Sequence, residues 1–90
     1  MMLSVVYRNK FRKNLEQMIR RGKDPEKIKL LIIALVNALP LEQKQKDHAL
    51  TGNFKRFREC HIEPDWLLIY RIEADILYLE RTGTHSDLFK

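Results

Sequence analysis

Apolar residues recur at helical spacing in the first half of the chain and gather into short runs in the second. Leu3–Tyr7 is a brief, β-branched apolar stretch and predicts a strand. Phe11, Leu15, Met18 and Ile19 follow at i, i+4, i+7 and i+8, the stripe of an amphipathic helix over about residues 8–21. Gly22 predicts its end, because glycine enters the left-handed cap conformation at little cost. Asp24-Pro25 predicts the next start: aspartate accepts from free N–H groups, and proline is preset for a first turn. Ile28, Leu31, Ile32, Leu35, Val36 and Leu39 then form a wide apolar stripe. Leu39-Pro40 is expected to stop it, since the residue before proline is pushed out of the α region. Residues 41–53 turn polar and predict a loop. Phe54–Ile62, Trp66–Ile72 and Ile76–Arg81, rich in aromatic and branched residues, predict three strands. The short joints Glu63-Pro64-Asp65 and Glu73-Ala74-Asp75 make them an antiparallel meander. The expectation is one α+β domain over residues 1–90. Its order is βααβββ, with a helical hairpin packed on one face of a small antiparallel sheet and a short tail, Thr82–Lys90.

Composition narrows the partners. The chain has 90 residues, 44% apolar and 32% charged, a globular balance that excludes wholesale disorder. Its longest apolar runs, Leu30–Val36 and Trp66–Tyr70, are far too short to span a bilayer, so no membrane role is expected. No leader pattern opens the chain, and the single cysteine, Cys60, cannot staple the fold. Both points suggest a reducing, cytoplasmic setting. The net charge of +5 is uneven: residues 1–45 hold 10 Lys/Arg against 4 Asp/Glu, and residues 46–90 hold 7 against 8. A basic N-terminal half suggests a polyanion, either nucleic acid or an acidic protein segment, or simply a solvated basic surface.

Strand order also gathers the candidate chemistry. In a meander, the end of one strand lies beside the start of the next. His61 ends the first meander strand, Asp65 lies in the turn before the second, and Arg81 ends the third. His85 follows four residues on. Two imidazoles, a carboxylate and a guanidinium should therefore meet at one end of the sheet. Imidazole can give or take a proton near neutrality, and arginine presents a fixed fork of donors to phosphate. The plain alternative is a set of surface residues with Arg81 paired to Glu80 or Asp65. A metal site from His48, Cys60, His61 and His85 is the competing chemical reading. No C-x-x-C or H-x-x-x-H spacing supports it, so no metal and no cofactor is expected. Phe89 lies four residues after His85. A helical turn in the tail would put both on one face, where Phe89 could stack a nucleobase or pin the tail to the core.

Three blocks carry a resemblance: Lys46-Asp47-His48-Ala49-Leu50-Thr51-Gly52, Arg58-Glu59-Cys60-His61-Ile62-Glu63-Pro64-Asp65-Trp66-Leu67-Leu68-Ile69-Tyr70, and Glu80-Arg81-Thr82-Gly83-Thr84-His85-Ser86-Asp87-Leu88-Phe89. In this order and spacing the chain resembles the YafQ-type toxins of the RelE/ParE superfamily, from bacterial type II toxin–antitoxin systems. The resemblance implies a RelE-like fold and a ribosome-dependent mRNA endonuclease that inhibits translation without a metal. It implies two partners, mRNA on the ribosome and a cognate antitoxin, with operator DNA bound only as the toxin–antitoxin complex. It implies a catalytic set of His48, His61, Asp65, Arg81 and His85, and RNA contacts from Phe89, Lys46, Lys55 and Arg58. Topology alone does not place His48; the resemblance does. On that set the roles are expected to be these: His85 protonates the leaving oxygen, Asp65 with His61 or His48 takes or relays the 2′-proton, Arg81 holds the phosphate, and Phe89 stacks a base. Arg56 departs from the pattern, since many relatives carry a small residue there, often glycine. Two other functions fit the same fold: a ParE-like toxin that binds gyrase, and a non-catalytic nucleic-acid-binding regulatory module. The histidines speak against the first, because gyrase binding has no need of them.

Overall fold

The computed structural model describes residues 2–52 and 56–89. Strand β1 spans Ser4–Tyr7, helix α1 Asn9–Arg20 and helix α2 Pro25–Val36. A 3-10 turn at Gln43–Gln45 leads to strand β2, His48–Ala49. Strands β3 (Arg58–Glu63), β4 (Trp66–Glu73) and β5 (Ile76–Gly83) follow, and a one-turn helix, α3, covers His85–Leu88.

Local chemistry sets the helix ends. Gly22 lies at φ 96° and closes α1, as its sequence position predicts. Asp24 caps α2 by accepting from the Glu26 N–H at 3.0 Å, and Pro25 opens the first turn. The end of α2 differs from expectation. The helix stops at Val36, and Ala38 turns left-handed at φ 55°, so the break precedes Pro40. Leu39 N–H reaches back to the Ala34 carbonyl at 2.9 Å, a closure of the last turn that Ala38 makes possible.

The strands lie in the order β1-β5-β4-β3-β2. The β3–β4–β5 meander is antiparallel, as its short turns require. The sheet as a whole is mixed, because β1 runs parallel to β5, with Ser4 opposite Ile76 and Tyr7 opposite Leu79. Parallel neighbours cannot be joined by a tight turn, and here the helical hairpin and the first meander strands form the connection. Part of the expected loop is also strand: His48 pairs with Glu59 and Ala49 with Arg58. Of the expected strand start, Phe54 and Lys55 lie outside the described residues, and pairing runs from Arg58.

One face of the sheet meets the helices. Phe11, Met18, Ile28, Leu31 and Leu35 from the hairpin pack on Cys60, Trp66, Leu68, Tyr70, Leu77 and Leu79. Trp66 Nε1 donates to Thr82 Oγ1 at 2.9 Å, and the Thr82 hydroxyl donates to the Leu67 carbonyl at 2.6 Å, which satisfies the polar atoms buried there. The opposite face carries the polar residues of interest. Replacing the fully buried Leu79 by alanine should lower unfolding free energy by about 2–5 kcal/mol through lost burial and a cavity. Leu30→Ala, at a position 66% exposed on α2, should change it by less than about 0.5 kcal/mol. Urea unfolding of the two variants checks the assignment, and equal losses would contradict it.

Candidate active site

Alternation along the strands sends Glu59 and His61 of β3 away from the helices, to the face where Leu67 and Ile69 of β4 also point. Register then aligns them. His48, Glu59, Ile69 and Arg81 form one row across β2, β3, β4 and β5, and His61, Leu67 and Gly83 form the next. Between Ile69 and Tyr70 the pairing slips, so Glu80 is an extra residue in β5. Such a bulge re-aims the side chains beside it. Arg81 Nε donates to Asn14 Oδ1 of α1 at 2.7 Å, and the Thr82 N–H approaches the same oxygen at 3.4 Å. Glu80 instead accepts from Arg71 Nε at 2.8 Å.

His85 opens α3, and this single turn is fastened from several sides. Thr84 and Asp87 form a reciprocal capping box: Thr84 Oγ1 accepts from the Asp87 N–H at 3.1 Å, and Asp87 Oδ2 accepts from the Thr84 N–H at 2.9 Å. Arg21 grips the same carboxylate with both terminal nitrogens, at 2.7 and 3.2 Å. The guanidinium holds the Asp87 carboxyl far below the usual carboxylate range. A Cβ on Gly83 would stand 2.9 Å from Asp87 Cβ, so the close approach of α3 to β5 requires glycine there. Asp65 completes the fastening. Its Oδ1 accepts from the His85 backbone N–H at 2.9 Å and from His85 Nδ1 at 2.6 Å. Those two bonds, the backbone one first, lower the Asp65 pKa. With Nδ1 donating to a carboxylate, Nε2 is the nitrogen left for chemistry.

The three histidines surround one buried carboxylate. Glu59 is 6% exposed. Its Oε1 lies 3.4 Å from His61 Nε2 and 3.7 Å from His48 Nε2. His48 Nδ1 donates to the Lys46 carbonyl at 2.6 Å, which turns Nε2 toward Glu59. The His61 and His85 rings meet edge-on with centroids 5.8 Å apart. Ligand atoms of Glu59, His61 and His85 fall within 4.8 Å of one another, so this trio is also able to hold a metal ion.

Residues 3–90 match the family model described as the bacterial toxin of a type II toxin–antitoxin system, YafQ. The chain belongs to the YafQ toxin family. It is 43% identical over 86 residues to the mRNA interferase toxin YafQ of Escherichia coli K12, covering 94% of each chain. It superposes on the toxin of the Escherichia coli DinJ–YafQ toxin–antitoxin complex with a TM-score of 0.91, at 41% identity and full coverage of both chains. A copper-bound mutant toxin from Helicobacter pylori is similar to it with a TM-score of 0.93 and 40% identity, over 98% of this chain and all of that one.

Against this YafQ-family fold, the residues singled out in the sequence divide into two groups. His61, Asp65 and His85 converge at the sheet end that meander logic assigns them, with Arg81 one row away. His48 joins them from β2. Phe89 follows α3, and its N–H bonds the His85 carbonyl at 2.8 Å, so the tail does form a helical turn. Lys46 stays close through its carbonyl bond to His48. Arg58 does not join the site. It alternates to the helix-facing side, where Asp47 accepts from its Nε at 3.3 Å and raises its pKa. Lys55 lies outside the described residues. Cys60 is buried in the core on the helix-facing side, apart from the histidines, and desolvation pushes its thiol pKa well up. Sequence reading missed Glu59 and Asn14. Glu59 had a signal, since it sits two residues before His61 and therefore on the same strand face. Asn14 had none, because only the packing of α1 brings it to Arg81.

Asp87, Asp65 and Glu63 are all held below their ordinary values; for Glu63 the causes are Lys23 at 2.7 Å and Lys27 at 2.8 Å. Groups lowered in the fold contribute stability above the ordinary carboxylate range and lose it as pH falls through and below that range. Thermal stability should therefore drop steeply below about pH 4. Asp87→Asn should lower Tm at neutral pH and flatten the acid limb. A Tm that rises on acidification would contradict the assignment.

Proposed function

We propose that this protein is a cytoplasmic mRNA endoribonuclease that cuts by metal-independent acid–base chemistry on the translating ribosome and is neutralised by a cognate antitoxin. The observation that carries the reading is the Asp65–His85 pair facing His61 and Glu59. Asp65 fixes His85 with Nδ1 as donor, so the protonated ring has an Nε2–H to give. His61 faces it from 5.8 Å, with Glu59 behind to stabilise the imidazolium that forms when His61 takes a proton. Two imidazoles on either side of one phosphate suit attack by a 2′-hydroxyl.

In this mechanism His61 removes the 2′-proton as the 2′-oxygen bonds to phosphorus. The bond to the 5′-oxygen breaks, and His85 gives that oxygen its proton. The products are a 2′,3′-cyclic phosphate and a 5′-hydroxyl. Arg81, anchored through Nε, keeps its terminal nitrogens for the phosphorane charge. His48 supports Glu59 from the other side. Asp65 is already bonded twice to His85, so its role here is to orient that ring rather than to take the 2′-proton. Phe89, one turn on from His85, is placed to stack a base, with Lys46 beside the site. The family description supports the antitoxin partner, and operator DNA would be bound by the toxin–antitoxin complex. Among the described residues no helix is long and apolar enough to cross a membrane.

Purified protein, tested on mRNA with and without ribosomes, should cut in the presence of EDTA. His85→Ala should reduce the rate by about 10²–10⁴-fold while the protein stays folded. Added Cu²⁺ or Zn²⁺ should inhibit, because Glu59, His61 and His85 would be drawn into coordination, and EDTA should restore activity. Equal activity in wild type and His85→Ala would overturn the mechanism. No cleavage by wild type on translating ribosomes would favour gyrase binding or a purely regulatory role.

A further inference from the structure

His48 is the least firmly held of the three histidines on its own face of the sheet. Its side chain is 50% exposed, and it sits on a two-residue strand at the sheet edge. Its ring bond to the Lys46 carbonyl, at 2.6 Å, lies within its own loop. That bond sets the ring against the loop, but it does not set the loop against Glu59. The strand itself gives only two pairs, His48 with Glu59 and Ala49 with Arg58. So short a ladder orders backbone for few hydrogen bonds and is weak alone.

Asp47, one residue earlier, makes the missing attachment on the other face. Alternation turns it to the helix-facing side, opposite Cys60 by the β2–β3 register. There its Oδ1 accepts from the Tyr70 hydroxyl at 2.5 Å and from Arg58 Nε at 3.3 Å. Tyr70 is 1% exposed and packed in the core, so its hydroxyl is a fixed post. A phenol buried this deeply needs an acceptor, and Asp47 supplies it. Burial first, and then the Asp47 carboxylate, push the Tyr70 pKa up, so the hydroxyl keeps its proton to donate. Arg58 stands opposite Tyr70 on the next strand and holds the same oxygen. Two adjacent residues of β3 thus meet two adjacent residues of the loop from opposite faces. Arg58 takes Asp47 on one, and Glu59 faces His48 at 3.7 Å on the other.

We infer that Asp47 is a positioning residue for His48, held on the helix-facing side by Tyr70 and Arg58. The inference rests on the cleavage reading above, in which His48 supports Glu59. It gives Tyr70 and Arg58 a part in the reaction that needs no contact with RNA.

The test pairs single-turnover RNA cleavage with NMR of the histidine rings in the folded protein. Asp47→Ala should slow cleavage by about 10- to 100-fold, and by no more than His48→Ala does, because it displaces a group rather than removing it. The Asp47→Ala/His48→Ala double variant should be no slower than His48→Ala. KM should stay within about twofold of wild type. Asp47→Asn keeps an oxygen for the Tyr70 hydroxyl and should restore most of the rate. Tyr70→Phe leaves no buried hydroxyl without an acceptor, so it tests the same tie if Asp47→Ala does not fold; it should slow cleavage in the same direction. In NMR, Asp47→Ala and Tyr70→Phe should lose the contact between His48 ring protons and the Glu59 side chain, while the His85 signals stay unchanged. A double variant slower than His48→Ala, or an intact His48–Glu59 contact in both Asp47→Ala and Tyr70→Phe, would overturn the inference. Loss of that contact with no cleavage by wild type would support the positioning and overturn the cleavage reading.

Discussion

Four residues of helix cannot stand alone in water, because a single turn fixes several backbone torsions for almost no hydrogen bonds of its own. The position of His85 therefore depends on what fastens α3 to the rest of the fold. The bidentate Arg21–Asp87 pair ties it to the end of α1, and the Thr84–Asp87 capping box closes its N-terminus. Gly83 lets it approach β5, and Asp65 holds the first residue by both backbone and ring. The run from Arg81 to Phe89 is therefore mainly an architecture for aiming one imidazole. In the proposed mechanism one residue gives the proton, and its neighbours in the motif hold the turn that carries it.

The sheet does the rest by dividing its two faces. Core residues on one face bind the helical hairpin, which leaves the other face free to carry charge in register. His48, Glu59, Ile69 and Arg81 share a row that no single strand could supply. The bulge at Glu80 breaks the alternation of Leu77 and Leu79, so that Arg81 stands opposite Ile69 in this row, where its Nε donates to Asn14 Oδ1. A buried carboxylate among three imidazoles is costly unless the imidazoles can bear charge, so Glu59 and the histidines depend on one another. Ligands within 4.8 Å of each other serve a metal or a proton relay, but not both at once.

Much of this was legible in the sequence. The meander follows from two short turns, and those turns alone bring His61, Asp65 and His85 to one end. Three features were harder. The parallel placement of β1 depends on packing across the whole chain, and no local pattern records it. The bulge left a trace, since buried Leu77 and Leu79 are two apart whereas buried Thr82 comes three later, but a broken alternation is easily taken for a strand end. The pairing of His48 with Glu59 required the register of a two-residue strand inside a polar loop. Arg58 shows the converse: its charge suggested an RNA contact, and strand alternation sends it to the other face.

The central claim is that Asp65 acts through His85. Single-turnover RNA cleavage by wild type, Asp65→Asn, His85→Ala and the double variant tests it most directly. If Asp65 only orients His85, the double variant will be no slower than His85→Ala. A double variant slower than His85→Ala by the full Asp65→Asn factor would show that Asp65 acts on the substrate independently, and would contradict the account.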